Sequence, residues 1–139
     1  MDYHEEMFAR NFIKTDKKER YLALLQSAKG RSKLAFGLNH CSDIDMRYAS
    51  LVPTEYQSEA GIYEILKKKG ASDKCHVMSS NPMIDGEDIP LIEALKSTIG
   101  RGMGTFISCI PGRLGYFEFE DPGKRYIRVV AMLGVNKLA

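Results

Sequence analysis

The spacing of the hydrophobic residues changes about halfway along this chain of 139 residues, and that change limits the folds open to it. In the first 70 residues or so, apolar side chains recur three or four positions apart, as on one face of an α-helix. The second half instead has short apolar runs separated by Pro-Gly, Asp-Gly and Asp-Pro-Gly turn signals. A mainly helical half followed by a mainly stranded half predicts an α+β domain.

Helix boundaries are predicted from capping residues at the amino end and from glycine or lysine at the carboxyl end. The segment 39–53 is expected to be a loop or a broken helix, because Asp and Pro favour turns there. The predicted helices are one capped by Asp2, one from Asp16 to Gly30 opened by a capping box with Glu19, a short one over Leu34–Leu38, one from Glu59 to Lys69, and one capped by Asp88 and ended by Gly100.

Four strands are expected, over 75–79, 105–110, 114–120 and 125–133. We therefore predict a helical N-terminal layer (residues 1–70) packed on one face of a small, mainly antiparallel sheet, with one crossover helix in 71–139. No linker divides the chain, which is expected to form a single domain. The predicted core consists of Phe8, Phe12, Leu22, Leu25, Ile62, Leu66, Val77, Leu95, Ile107, Phe117, Phe119, Ile127 and Val129.

The composition is that of an ordinary globular protein, with 44% hydrophobic and 27% charged residues and a formal net charge of +2. A charge so near zero does not commit the whole surface to nucleic acid or to a membrane. No apolar run approaches the ~18 residues of a membrane-spanning helix, and no secretory signal is visible. Three cysteines without paired spacing indicate reduced thiols, so we expect a cytoplasmic protein.

The cysteine and histidine residues suggest one catalytic interpretation. Cys109 lies near the end of a predicted strand and is a candidate nucleophile, with His76 on a neighbouring strand to lower its pKa. A buried core strand explains Cys109 equally well. No metal or cofactor is expected, because Cys75 and His76 are adjacent on a strand and point to opposite faces, and no C-x₂-C or H-x₃-H spacing occurs. A site with one ligand from each of three Cys or His segments is the remaining geometric alternative.

A small-ligand site is favoured where several turn-rich segments can meet. The glycines of 100–104 allow a backbone to approach an anion, although a helix stop explains them more simply. The loops 43–48 and 84–87 concentrate polar side chains between apolar elements, and Tyr116 is expected on a polar face of the strand over 114–120. The ligand-binding candidates are Arg101, Arg113, Glu118, Asp43, Asp45, Arg47 and Asp85.

A basic segment supplies a third candidate. From Lys14 to Lys33 the chain has seven basic and two acidic residues, a local net charge of +5. Clusters of this kind bind phosphate, although a solvated helix face has the same composition. The aromatic residues Tyr21 and Phe36 are predicted to lie in the core, which argues against their stacking on bases. The nucleic-acid candidates are Lys17, Lys18 and Arg20.

The segment 104–114 (Gly-Thr-Phe-Ile-Ser-Cys-Ile-Pro-Gly-Arg-Leu), with 43–48, 84–87 and 125–127, resembles a group of short bacterial proteins of unassigned function. The resemblance implies a bacterial cytosolic setting and no particular activity. We therefore expect a non-catalytic binding or regulatory module that recognises a protein or a small anionic ligand. A thiol-dependent enzyme using Cys109 and a nucleic-acid-binding protein using 14–33 are the alternatives. An exposed edge strand near residue 125 would allow a homodimer.

Overall fold

The computed structural model describes residues 1–121 and 124–129, which contain five α-helices and one six-stranded sheet. The sheet is antiparallel throughout. The helices are α1 (Tyr3–Asn11), α2 (Lys18–Leu24), α3 (Ala28–Gly37), α4 (Glu59–Lys68) and α5 (Leu91–Thr98). The strands are β1 (Ala49–Leu51), β2 (Lys74–Ser79), β3 (Asp88–Pro90), β4 (Thr105–Ile110), β5 (Leu114–Glu118) and β6 (Arg125–Val129), in the spatial order β1-β6-β5-β4-β2-β3.

Helices cover both faces of the sheet, so the predicted one-sided packing is wrong. Neighbouring residues of a strand point to opposite faces, and the central strands are apolar on both. On one face, the Phe106 ring packs against Phe8 and Phe12 of α1, with ring centroids 4.7 and 4.9 Å apart. On the other face, Ile107 and its neighbours pack with the apolar stripes of α4 and α5. The sheet is the middle layer of three.

The predicted helix over 16–30 is two helices joined by a turn at 25–27. Ser27 caps α3, since its Oγ accepts the Gly30 N–H at 3.0 Å. Gly30, expected to stop a helix, therefore lies inside α3. A Cβ at this position would sit 2.3 Å from the Leu24 carbonyl oxygen, so α2 and α3 approach at a distance that only glycine allows. The short predicted element at 34–38 is the carboxyl part of α3.

Some of the other predicted helix and strand boundaries agree with the structure and others do not. Asp2 caps α1 by accepting the Glu5 N–H at 3.2 Å. The capping box expected at Asp16 does not form, and α2 begins without a side-chain cap. Asp88 lies in β3 instead of capping a helix, and α5 starts after Pro90. The expected four strands are the four central ones, to which the structure adds the three-residue edge strands β1 and β3. The strand from Arg125 is paired on both sides, so the exposed edge expected near residue 125 is wrong.

Most of the predicted core is buried, with three exceptions among the described residues. Leu22 and Phe119 are half-buried, and Val129 is exposed on β6. Tyr116 and Glu118, expected on a polar face, are buried between β5 and the α4–α5 layer. The part of the last predicted strand beyond residue 129 lies outside the described residues.

Candidate functional site

The small-ligand site predicted from the loops is not assembled. Asp85 follows β2, where its Oδ1 accepts the Ser79 N–H at 2.9 Å. Arg113 lies in the turn after β4, at the other end of the sheet. The six residues of β4 separate the two ends by about 17 Å at roughly 3.4 Å per residue. Asp45 and Arg47 pair with each other at 2.5 Å beside β1, the opposite edge strand from β3.

The other ligand candidates have local partners. Asp43 accepts a hydrogen bond from the Tyr21 hydroxyl at 2.8 Å. Glu118 lies buried beside Tyr116 and Arg125, and this burial raises the pKa of its carboxyl although the Tyr116 hydrogen bond opposes the rise. Arg101 is exposed after α5 and donates to the Lys96 carbonyl at 3.2 Å. No common cleft brings these side chains together among residues 1–121 and 124–129.

The structure contradicts the thiol-enzyme interpretation. Cys109 is only 2% exposed and points toward α4 and α5, and this burial raises the pKa of its thiol well above the usual value. His76 points to the opposite face of the sheet, toward α1, so it cannot activate Cys109. An accessible thiol of lowered pKa, which thiol catalysis requires, is therefore missing at this position.

Alkylation of the folded protein will check this burial. Cys75 and Cys109 are buried and Cys41 is half-buried, so we expect iodoacetamide to modify Cys41 first. Modification of the other two should be at least about 1,000-fold slower than in the unfolded chain, because it requires an opening that costs several kcal/mol. Mass spectrometry of timed digests, with a urea-unfolded control, measures the rates. Fast modification of Cys109 in the folded protein would contradict the structure.

The α2–α3 hairpin, which comprises α2, the turn 25–27 and α3, presents a basic outward face. Lys29, Ser32, Lys33 and Phe36 occupy consecutive turns of α3 at helical spacing, and all four are exposed. Phe36, predicted to lie in the core, is 69% exposed. No acidic residue occurs in α3. A large apolar ring held in water between lysines indicates a contact surface.

The residues before α3 extend the positive charge. Arg20 is exposed on α2 and Lys17 is half-buried just before it. Lys18 donates to the Arg10 carbonyl and is therefore already engaged. Arg31 belongs to the same basic run but points inward, where it lies between two carboxylates. With Lys18 and Arg31 engaged, five of the seven basic residues of 14–33 remain for this surface.

Arg31 anchors the inner side of α3 through a buried ion network. Its guanidinium donates to both carboxylate oxygens of Glu5 at 2.9 and 2.7 Å, and to those of Asp85 at 2.5 and 3.0 Å. Burial alone would raise the pKa of Glu5, but hydrogen bonds from His76 and Arg31 outweigh it and lower that pKa to about 2. The network joins α1, α3 and the loop after β2.

His76 continues this network toward the edge of the sheet. Its Nε2 lies 2.7 Å from Glu5 Oε2 and its Nδ1 lies 2.8 Å from Asp88 Oδ1. Burial lowers the pKa of His76, but the hydrogen bonds to Glu5 and Asp88 reverse that effect and raise it. The His4 ring stacks on His76 with centroids 5.4 Å apart, and burial together with the charge of His76 lowers the pKa of His4. His4 Nδ1 lies 2.7 Å from the Ser108 hydroxyl.

Several of these residues were missed from the sequence. The ion network joins residues 26, 54 and 71 positions apart, and no local pattern marks such pairs. Lys29 and Lys33 were counted in the basic run but not selected as a site. Lys29 and Lys33 are four residues apart and Phe36 follows three positions later, which places all three on one face of a helix over 28–37. The spacing is visible in the sequence, but a single helix over these residues was not predicted.

Comparisons with protein-family models, with curated proteins and with solved structures found no match to this chain. The resemblance to short bacterial proteins therefore stays a prediction. Among the described residues, no helix is both long enough and apolar enough to cross a membrane.

Proposed function

We propose that this protein is a non-catalytic module that binds nucleic acid through the outward face of its α2–α3 hairpin. The observation that carries the proposal is the outer face of α3, where Lys29, Lys33 and the exposed Phe36 lie without an acidic neighbour in the helix. Such a surface attracts phosphates by charge and offers a ring to a base or a sugar.

The architecture of the hairpin supports the proposal. A seven-residue helix, a three-residue turn and a ten-residue helix follow in order, as in helix-turn-helix proteins, whose second helix contacts the nucleic acid. The inner side of α3 is fixed to α1 and the sheet by Leu34, Leu38 and the Arg31 network. A rigid helix that is held from behind can present its outer face without local refolding.

The local charge, and not the near-neutral total, determines this binding. Electrostatic attraction between exposed groups is screened beyond roughly 8–10 Å in physiological salt, so a distant acidic surface weakens it little. This proposal retains the non-catalytic binding module predicted from the sequence, but it replaces the small anionic ligand with a nucleic acid, which is a polyanion. The loops that were expected to bind a small anion are dispersed over the sheet, whereas the basic residues of the hairpin are grouped.

Salt dependence tests the proposal. Four phosphate contacts, from Lys17, Arg20, Lys29 and Lys33, predict a slope of about −3.6 for log K against log salt and a loss of about 150-fold in affinity between 50 and 200 mM. Fluorescence anisotropy with labelled duplex DNA, single-stranded DNA and RNA measures the slope. In the double variant Lys29→Ala/Lys33→Ala the slope should fall by about 2.

A matched control removes the same charge elsewhere. Lys68→Ala/Lys69→Ala at the end of α4 lies on the opposite side of the sheet, and it should leave both affinity and slope near those of the original protein. Phe36→Ala should weaken binding and leave the slope unchanged, since it removes no charge. The proposal is wrong if the two lysine pairs behave alike, or if none of the three nucleic acids binds.

A further inference from the structure

A second group of side chains with ligand chemistry lies at the β3 edge of the sheet. Asp2, His76 and Asp88 each place one potential ligand atom so that all lie within 4.8 Å of one another. His76 and Asp88 are direct register partners on β2 and β3, so their side chains share one face. Asp2, the cap of α1, completes the group from a third segment.

The histidine of this group is already oriented. His76 Nε2 lies 2.7 Å from Glu5 Oε2, and Arg31 holds that carboxylate from its other side. Histidines that bind metal commonly donate their second ring N–H to a carboxylate, which fixes the tautomer and the ring. With Nε2 engaged by the buried Glu5, Nδ1 is the nitrogen that faces the exposed carboxylate of Asp88, while Asp2 Oδ1 lies 3.7 Å from Nε2. Stacking of His4 on the ring restricts its rotation further.

The two carboxylates can complete a coordination shell. The side chains of Asp2 and Asp88 are 37% and 61% exposed, so an ion can reach them and they can rotate toward it. Bonds of 2.0–2.2 Å to a tetrahedral ion place the ligand atoms roughly 3.4 Å apart, so Asp88 stays close to its present position and Asp2 turns from Nε2 toward Nδ1. One imidazole nitrogen with two carboxylate oxygens is a donor set suited to zinc, and water fills the fourth position.

We propose that Asp2, His76 and Asp88 form a zinc-binding site in which Glu5 orients the histidine. The ion replaces the proton shared between His76 Nδ1 and Asp88 Oδ1. The site is separate from the outward face of α3 and does not depend on nucleic-acid binding. The absence of C-x₂-C or H-x₃-H spacing does not conflict with it, because its ligands come singly from three segments brought together by β2–β3 pairing and by α1.

Thermal unfolding of the untagged protein with and without zinc tests this site. At a free zinc concentration about 100 times Kd, the Tm should rise by roughly 9 °C for a chain of this length. The double variant Asp2→Asn/Asp88→Asn should lose the shift. It should still fold, because asparagine caps a helix as well as aspartate does and Asp88 is exposed. The control Asp16→Asn/Asp73→Asn removes two exposed carboxylates elsewhere and should keep the full shift.

Imidazole nitrogen chemical shifts locate the ion. Zinc should change the Nδ1 resonance of His76 and leave that of His40 unchanged, and Glu5→Gln should weaken zinc binding by about 10- to 100-fold, as measured by calorimetry. No Tm shift in the original protein would overturn the proposal. An equal shift in Asp2→Asn/Asp88→Asn would also overturn it, since zinc would then be bound elsewhere, for example by Cys41.

Discussion

Replacing Arg31 by alanine is expected to lower the free energy of unfolding by about 3 kcal/mol and the Tm by about 10 °C. The substitution removes the only described cation within hydrogen-bond distance of both Glu5 and Asp85. Glu5 is buried, so its carboxylate would lose the two hydrogen bonds from Arg31 and keep the one with His76, without gaining full hydration. We place the effect at the lower end of the range for broken buried ion pairs because the Arg31 side chain is 23% exposed.

The matched control is Lys33→Ala, which lies two residues away in the same helix and removes the same charge. Lys33 is exposed, and we expect a change within about 0.5 kcal/mol. Urea or thermal unfolding followed by circular dichroism compares the two variants, and Arg31→Lys should recover part of the loss because it keeps the charge but not the paired geometry. Equal stability of Arg31→Ala and Lys33→Ala would show that the network contributes little.

Replacing Gly104 by alanine is expected to destabilise the protein by about 3 kcal/mol or more, at the upper end of the range for overpacking. A Cβ at this buried position would lie 2.2 Å from both the carbon and the oxygen of the Leu38 carbonyl and 2.4 Å from the Asn39 nitrogen. All three are backbone atoms, which cannot rotate away as a side chain does. Gly104 is also fixed by the hydrogen bond from its N–H to Asn39 Oδ1 at 2.7 Å.

Gly37→Ala is the control for Gly104→Ala. Gly37 ends α3, and no atom lies within 4 Å of a Cβ placed there. Alanine is favoured over glycine in a helix by up to about 1 kcal/mol, so this variant should be neutral or slightly more stable. Thermal unfolding of both variants measures the difference. A Gly104→Ala protein as stable as Gly37→Ala would contradict the close approach of β4 to the segment 38–39.

Gly104 also accounts for part of the glycine-rich segment 100–104, which was considered as an anion site from the sequence. Gly104 allows two backbone segments to touch, while Gly100 and Gly102 adopt positive φ angles of 74° and 70° that favour glycine. Three glycines in five residues were therefore correctly recognised as unusual. The sequence could not show which role these glycines have, because a close backbone contact and an anion-binding loop both favour glycine.

The fold was predictable where a pattern extends over enough residues. The stripe of α4 and the apolar runs of β2, β4 and β5 each establish a period and give the element type. The edge strands β1 and β3 are three residues long, too short to show an alternation. They form because a neighbouring strand supplies hydrogen-bond partners, and this depends on the register of the whole sheet.

The division of one predicted helix into α2 and α3 had the largest consequence for function. Tyr21, Leu25 and Ala28 fit a single stripe, so the local spacing favoured a continuous helix through 16–30. The break at 25–27 starts a new helix that continues to Gly37, and Phe36, predicted on a core face of the short element over 34–38, is exposed on α3. Tyr21 is buried as expected, whereas Phe36 is free to contact a base or a sugar.

By itself the sequence determined the α+β class, the helical first half, four of the strands and the presence of a basic segment between Lys14 and Lys33. These follow from hydrophobic period and local charge, which act over a few residues. Only the tertiary structure decided that both faces of the sheet are covered, that Arg31 turns inward while Lys29 and Lys33 face water, and that Asp2, His76 and Asp88 meet. Such contacts join residues far apart along the chain, 86 positions for Asp2 and Asp88 and 98 for Phe8 and Phe106. They depend on strand register and helix placement, which are set by the packing of the whole molecule.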